Sequence, residues 1–154
     1  MGLHIEDVTI RKVVTIDSDA SVKEATNKMN NHSTSSLVVL SENKVDGILT
    51  TRDIVSRVVA KGLDPNDIQV GEIASRPVVM MRPEAPLEEA IKIMLQRKIK
   101  KIPLVSERED RVMLVGLLSL SDVIEYHSGL FSILWEQIIL TAPADEIEDL
   151  VCVA

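Results

Sequence analysis

The chain has 154 residues, 45% of them hydrophobic and only 2% aromatic, so it is long enough for a folded core built from Val, Ile, Leu and Met. Seventeen Lys and Arg against twenty-four Asp and Glu give a formal charge of −7, which disfavours general binding to nucleic-acid phosphates. The single Cys152 excludes an intrachain disulfide and a cysteine zinc cluster, and no apolar run approaches the ~20 residues that span a bilayer. The first residues, MGLHIEDVTIRK, include acidic side chains and no long apolar stretch. That is not a secretory signal, and a cytoplasmic protein is expected.

In chain order, a short helical turn is expected at Ile5 to Val8 and a strand at Val13–Ile16. Ser21 followed by Glu24 is a capping-box pattern, and Val22, Ala25 and Met29 then recur at helical spacing. Leu37–Leu40 and Val45–Thr50 read as a hairpin around SENK (41–44). A helix from about Thr51 to Lys61 is expected to turn Ile54, Val55, Val58 and Val59 inward and to stop at Gly62. After the linker LDPND (63–67) the order starts again. A turn is expected at Val70 to Ala74 and a short strand at Val78–Met81 between Pro77 and Pro83. A helix opened by Pro86 carries Leu87, Ala90, Ile91, Met94 and Leu95 as its apolar stripe. Ile102–Val105 and Val112–Ser119 form a second hairpin, and a last helix begins near Ser121, with a possible break at Gly129.

The recurrence is in the residues as well as in the pattern. VVTIDSDASVKEATNKM (13–29) matches VVMMRPEAPLEEAIKIM (78–94), and after an insertion GILTTRDI (47–54) matches GLLSLSDV (116–123). A duplication of this size predicts two like βαββα units facing each other. With Gly-h-h-Thr/Ser-x-x-Asp in both copies and KIKKIPLV (98–105) in the second, the chain resembles a tandem pair of CBS domains, the unit called a Bateman module. The resemblance covers roughly residues 5–127. It implies an α/β, or α+β, sandwich of two repeats, 5–62 and 70–127, related by a pseudo-two-fold axis, with a C-terminal helix and acidic tail over 128–154. It also implies clefts between the repeats that take AMP, ADP, ATP or S-adenosylmethionine, and pairing of modules into dimers.

The motif supports a ribose site on physical grounds too. Glycine admits close backbone approach, an Asp at a helix's first turn accepts hydrogen bonds from a vicinal diol, and the helix N-terminus beside it favours phosphate. Equally, Thr50 and Ser119 serve as N-caps, with Asp53 and Asp122 as first-turn helix stabilisers. Carried over by resemblance, one cleft combines Thr15, Ala20, Leu37 and Val38 around the base with Leu117, Ser119, Ser121 and Asp122 at the ribose and phosphate. Lys100 and Lys101 stand as basic phosphate contacts there. The other cleft combines Met80, Ala85, Ile102 and Pro103 with Ile48, Thr50, Arg52 and Asp53, but has Ser35 and Ser36 in place of the lysine pair.

No P-loop, GxSxG or HExxH pattern is present, so no catalytic residue and no metal ligand is assigned and an enzyme is not expected. The expectation is a regulatory module with no required cofactor, for which an adenine nucleotide is the effector. An S-adenosylmethionine sensor and a ligand-free interaction scaffold are the alternatives. SGLFSILWEQIIL (128–140), with Phe131 and Trp135, is too apolar to stay solvated; it either packs on its own module or makes a subunit contact, and the homodimer contact is the one expected. An effector enzyme or transporter is the further partner expected.

Overall fold

The computed structural model describes residues 2–8, 12–109 and 111–126, together with Gly129, Ser132 and Glu136. The expected contact segment 128–140, apart from those last three positions, and the tail with Cys152 lie outside the described residues. The protein is a mixed α/β chain, with one three-stranded and one two-stranded sheet among the described residues. In the first repeat β1 is Thr15–Asp17, α1 is Val22–Asn31, β2 is Ser36–Ser41, β3 is Lys44–Thr50 and α2 is Thr51–Ile54; after the linker the second repeat opens with α3 at Val70–Ile73. In the second repeat α4 is Leu87–Gln96, β4 is Lys101–Arg108, β5 is Arg111–Ser119 and α5 is Leu120–Tyr126. No helix among the described residues is long and apolar enough to cross a membrane.

Local chemistry accounts for most boundaries. The hydroxyl of Ser21 accepts the Glu24 amide at 3.1 Å while the Glu24 carboxylate accepts the Ser21 amide at 2.9 Å, which starts α1 as its capping box predicts. β2 and β3 meet through Glu42 and Asn43, at φ 50° and 62°. Two successive left-handed residues match the twist of an antiparallel pair. α2 runs on into a π turn over Val55–Val59, in which the Ala60 amide donates to the Val55 carbonyl at 2.8 Å. Gly62, at φ 67°, ends it. Its amide donates to Val59 and the Leu63 amide to Val58, the paired bonds of a Schellman stop.

Two expectations require correction. Val58 is fully buried, but Val55 and Val59 are 58% and 66% exposed, not inward. A buried stripe covers little more than a third of a helix surface, too narrow for Ile54 with Val55 and Val58 with Val59 together, and the π turn widens the helix there. The strand expected over Val78–Met81 is a single bridge, Met81 to Leu104. Pro77 and Pro83 lack the amide hydrogens that a longer ladder needs.

The chain forms two compact units: unit 1 is Met1–Arg11 with Met80–Ala154, and unit 2 is Lys12–Val79. Each opening turn therefore packs on the other repeat. In unit 1 the Ile5 amide donates to Ala85, and in unit 2 the Val70 amide donates to Ala20, the same bond at matching positions of the duplication. Unit 2 has a core of Ile16, Val22, Ala25, Met29, Leu37, Val39, Leu49, Val58 and Val70. Unit 1 has its own around Ile5, Leu87, Ile91, Met94, Leu95, Ile102, Leu104 and Leu118.

Candidate ligand site

Strand register sorts the nominated residues onto two faces. In unit 2, Thr15 lies beside Val38, Ser36 opposite Thr50, and Val38 opposite Ile48. Leu37 and Leu49, one step along, belong to the core. Alternation thus gives the face away from the core to Thr15, Ser36, Val38, Ile48 and Thr50. In unit 1, Lys101 lies opposite Ser119 and Pro103 opposite Leu117, while Ile102 and Leu118 face the core. Lys101, Pro103, Leu117 and Ser119 therefore share the face that matches. Leu37 and Ile102, 1% and 0% exposed, have backbone rather than side chain to offer a ligand on that face.

Both motifs are built alike at the backbone. The Thr51 amide that opens α2 donates to the Ser35 carbonyl at 3.0 Å, and the Leu120 amide that opens α5 donates to the Lys100 carbonyl at 2.8 Å. This equivalence lays Ser35 and Ser36 over Lys100 and Lys101. The preceding residues, Ser33 and Lys98, are both left-handed at φ 50° and 54°. The loop of unit 1 thus holds Arg97, Lys98, Lys100 and Lys101 where unit 2 holds His32, Ser33, Ser35 and Ser36.

The acidic residues differ in their surroundings. Asp53 is 7% exposed. Its Oδ2 accepts the Thr50 amide and hydroxyl, both at 2.9 Å, and its Oδ1 accepts the Ser75 hydroxyl at 3.0 Å. The Arg57 guanidinium stands 3.5 Å from Oδ1. Asp122 is 1% exposed at the first turn of α5, and the hydroxyls of Ser119 and Ser121 lie 2.7 Å apart. Lys100 and Ser121 are exposed and Lys101 is half-buried. Of the remaining nominees, Ala20 and Ala85 occupy turns whose carbonyls are taken by Val70 and Ile5, Met80 is 41% exposed and Arg52 is exposed on α2. Reasoning from sequence missed Ser75 and Arg57. Arg57 is four residues beyond Asp53, the spacing of a helical ion pair, and was open to discovery on that ground. Ser75 carries no local signal.

Of the first set, Thr15, Ala20, Leu37 and Val38 belong to unit 2 and the remaining members to unit 1. The model of the CBS domain matches residues 5–60 and again 70–129. The chain belongs to the CBS-domain family. The CBS domain-containing protein YhcV of Bacillus subtilis is 30% identical over 119 residues, 77% of this chain and 81% of that protein. Among solved structures, the hexameric CBS-CP12 protein of bloom-forming cyanobacteria is 28% identical, with a TM-score of 0.71 over 100% of this chain and 90% of that one. The CBS domain pair of protein MJ0100, solved with 5′-methylthioadenosine and S-adenosylmethionine, has a TM-score of 0.71 over 84% of this chain and 98% of that one. At 24% identity that likeness is one of fold.

Proposed function

We propose that this CBS pair is a cytoplasmic regulatory module, not an enzyme, that binds AMP, ADP or ATP between its repeats on the side of Asp122. One contrast carries the choice of side. The loop ahead of the Asp122 motif holds Arg97, Lys98, Lys100 and Lys101, whereas the matching loop of unit 2 holds His32, Ser33, Ser35 and Ser36. Ser119 and Ser121 suit a ribose or phosphate oxygen, and Lys100 and Lys101 bring the positive charge that a net-acidic protein needs beside a phosphate. Thr15 offers a neutral surface for the base, with Val38, itself only 1% exposed, beside it on the same face.

Signalling to an effector enzyme or transporter then proceeds through a change of conformation or assembly. Homodimerisation is part of this reading. Val55, Val59 and Leu63 are exposed apolar residues at i, i+4 and i+8 of one helix and its stop, an arrangement that favours contact with another chain. The same stripe favours the second reading, a scaffold that pairs without a ligand. Titration calorimetry with AMP, ADP, ATP and S-adenosylmethionine separates the two. The nucleotide reading expects saturable heat with at least one adenine nucleotide. Heat from S-adenosylmethionine alone makes the module a sensor of that compound, and no heat from any of the four leaves the scaffold.

A further inference from the structure

Unit 2 fastens its own linker at one carboxylate. A Cβ on Gly47 would come within 3.0 Å of the Ala74 Cβ and 3.3 Å of the Ser75 carbonyl, so the missing side chain is what lets the chain return against β3. There Ile48 and Ser75 exchange both backbone hydrogen bonds, at 3.2 and 2.8 Å. A bridge of one residue pair is a weak attachment by itself. Asp53 adds to it, because its Oδ1 takes the Ser75 hydroxyl while the Thr50 amide and hydroxyl hold its Oδ2 in place. Arg57 spans the same junction, lying beside Asp53 and donating to the Ile73 carbonyl. On the far side of Ser75, Arg76 pairs with Asp46 and donates to the Gly71 carbonyl at 2.8 Å.

We infer that Asp53 is a clasp, which holds the linker segment around Ser75 onto β3 and is committed to that task instead of to a ligand's ribose. A carboxylate has about four acceptor sites; Thr50 takes two and Ser75 a third, with the Arg57 guanidinium 3.5 Å from the same oxygen as Ser75, so a diol would compete for what little acceptor capacity is left. The clasped segment leads to Val79, the last residue of unit 2, so the clasp fixes the chain just before it crosses into unit 1.

Amide hydrogen exchange of the full chain, read by NMR at Ile48 and Ser75, tests the inference without any nucleotide. Asp53→Asn and Ser75→Ala should each speed exchange at Ser75 by about tenfold, the loss of one charge-assisted hydrogen bond. The double variant should exchange no faster than Asp53→Asn, because both changes break the same contact. Ile102 and Leu118 in unit 1 should be unaffected. Unchanged protection of Ser75 in Asp53→Asn, or additive effects in the double variant, overturns the clasp. Titration of Asp53→Asn with ATP is the second arm, and affinity within about twofold of the unaltered chain is expected, the size of a substitution that breaks no ligand contact. Lost ATP affinity with Ser75 still protected would assign Asp53 to the ligand and end the proposal.

Discussion

The two Gly-to-Asp motifs are nearly the same words in different sentences. Gly47–Asp53 and Gly116–Asp122 share their spacing, their opening backbone hydrogen bond and the cap position of a hydroxyl residue. Asp53 takes a serine from beyond the linker and has an arginine one turn on, while the Asp122 motif carries a second hydroxyl at Ser121 and its unit a basic loop at 97–101. A motif therefore fixes where a carboxylate stands but not what it does. Its neighbours from elsewhere in the chain decide that. The paired helices show the same divergence. Ile91, Leu95 and Leu120 are buried in unit 1, whereas the matching Thr26, Asn30 and Thr51 of unit 2 are exposed and line a groove of about 600 Å³ with Met29, Ile54 and Val55.

The largest effect should come from breaking that helix contrast. Ile91→Ala leaves a cavity in the core of unit 1 and should cost roughly 2–5 kcal/mol of stability. Thr26→Ala, at the same place in the duplication, should stay within about 0.5 kcal/mol, since it trades an exposed hydroxyl bonded to its own helix for a better helix former. Chemical denaturation of both variants reads the difference, and equal losses would show that the groove is as tightly packed as the core. The motif contrast comes next. Asp122→Ala should weaken nucleotide binding by about 1.5–3 kcal/mol, the worth of a hydrogen bond to a charged group, and Asp53→Ala should act on stability instead. Calorimetry with each variant, checked by thermal melts, decides it; the reverse pattern moves the site to the other motif. Smaller again, replacing Lys100 and Lys101 together with Ala should cost on the order of 1 kcal/mol of ATP affinity while sparing adenosine, because exposed charges are screened. Equal losses for ATP and adenosine would mean that the lysines act through loop structure.

Much of this was legible in the residues. Periodicity and capping residues gave the helices, since Ser21 with Glu24 and the Leu87–Leu95 stripe each fix a face by local chemistry alone. The turn residues Glu42 and Asn43 and the stop at Gly62 were likewise local. The duplication gave the family and the matched positions. Four things were hidden, and each depends on contacts distant in sequence or on a choice between near-equal alternatives. The exchange of opening turns between repeats needs bonds from Ile5 to Ala85 and from Val70 to Ala20. The bond from Ser75 to Asp53 crosses the whole linker. The choice of Val58 over Val55 and Val59 depends on a π turn that no side chain announces. Leu37 and Ile102 were nominated with their neighbours Val38 and Pro103, yet strand alternation gives adjacent residues opposite faces, and only the register showed which was which.

The smallest effect separates the two units by acid. In unit 2, the backbone amide and hydroxyl of Ser21 hold the Glu24 carboxyl below its ordinary range, and the hydrogen bond from Arg76 does the same for Asp46. A carboxyl whose pKa is lower folded than unfolded adds stability above its unfolded value, and that stability is lost as pH falls through the folded value. The window therefore opens near pH 4, the ordinary carboxylate range, and extends downward. Unit 1 lacks the first of these contacts, because Pro86 stands where Ser21 does and has neither an amide hydrogen nor a hydroxyl. Thermal melts from pH 6 down to about pH 3 should show a falling midpoint that flattens in Glu24→Gln and in Asp46→Asn. Glu89→Gln, at the position in unit 1 that matches Glu24, should leave the slope as it is. If Glu89→Gln flattens the curve as much as Glu24→Gln does, the acid response belongs to the net charge of the chain and not to the contacts of unit 2.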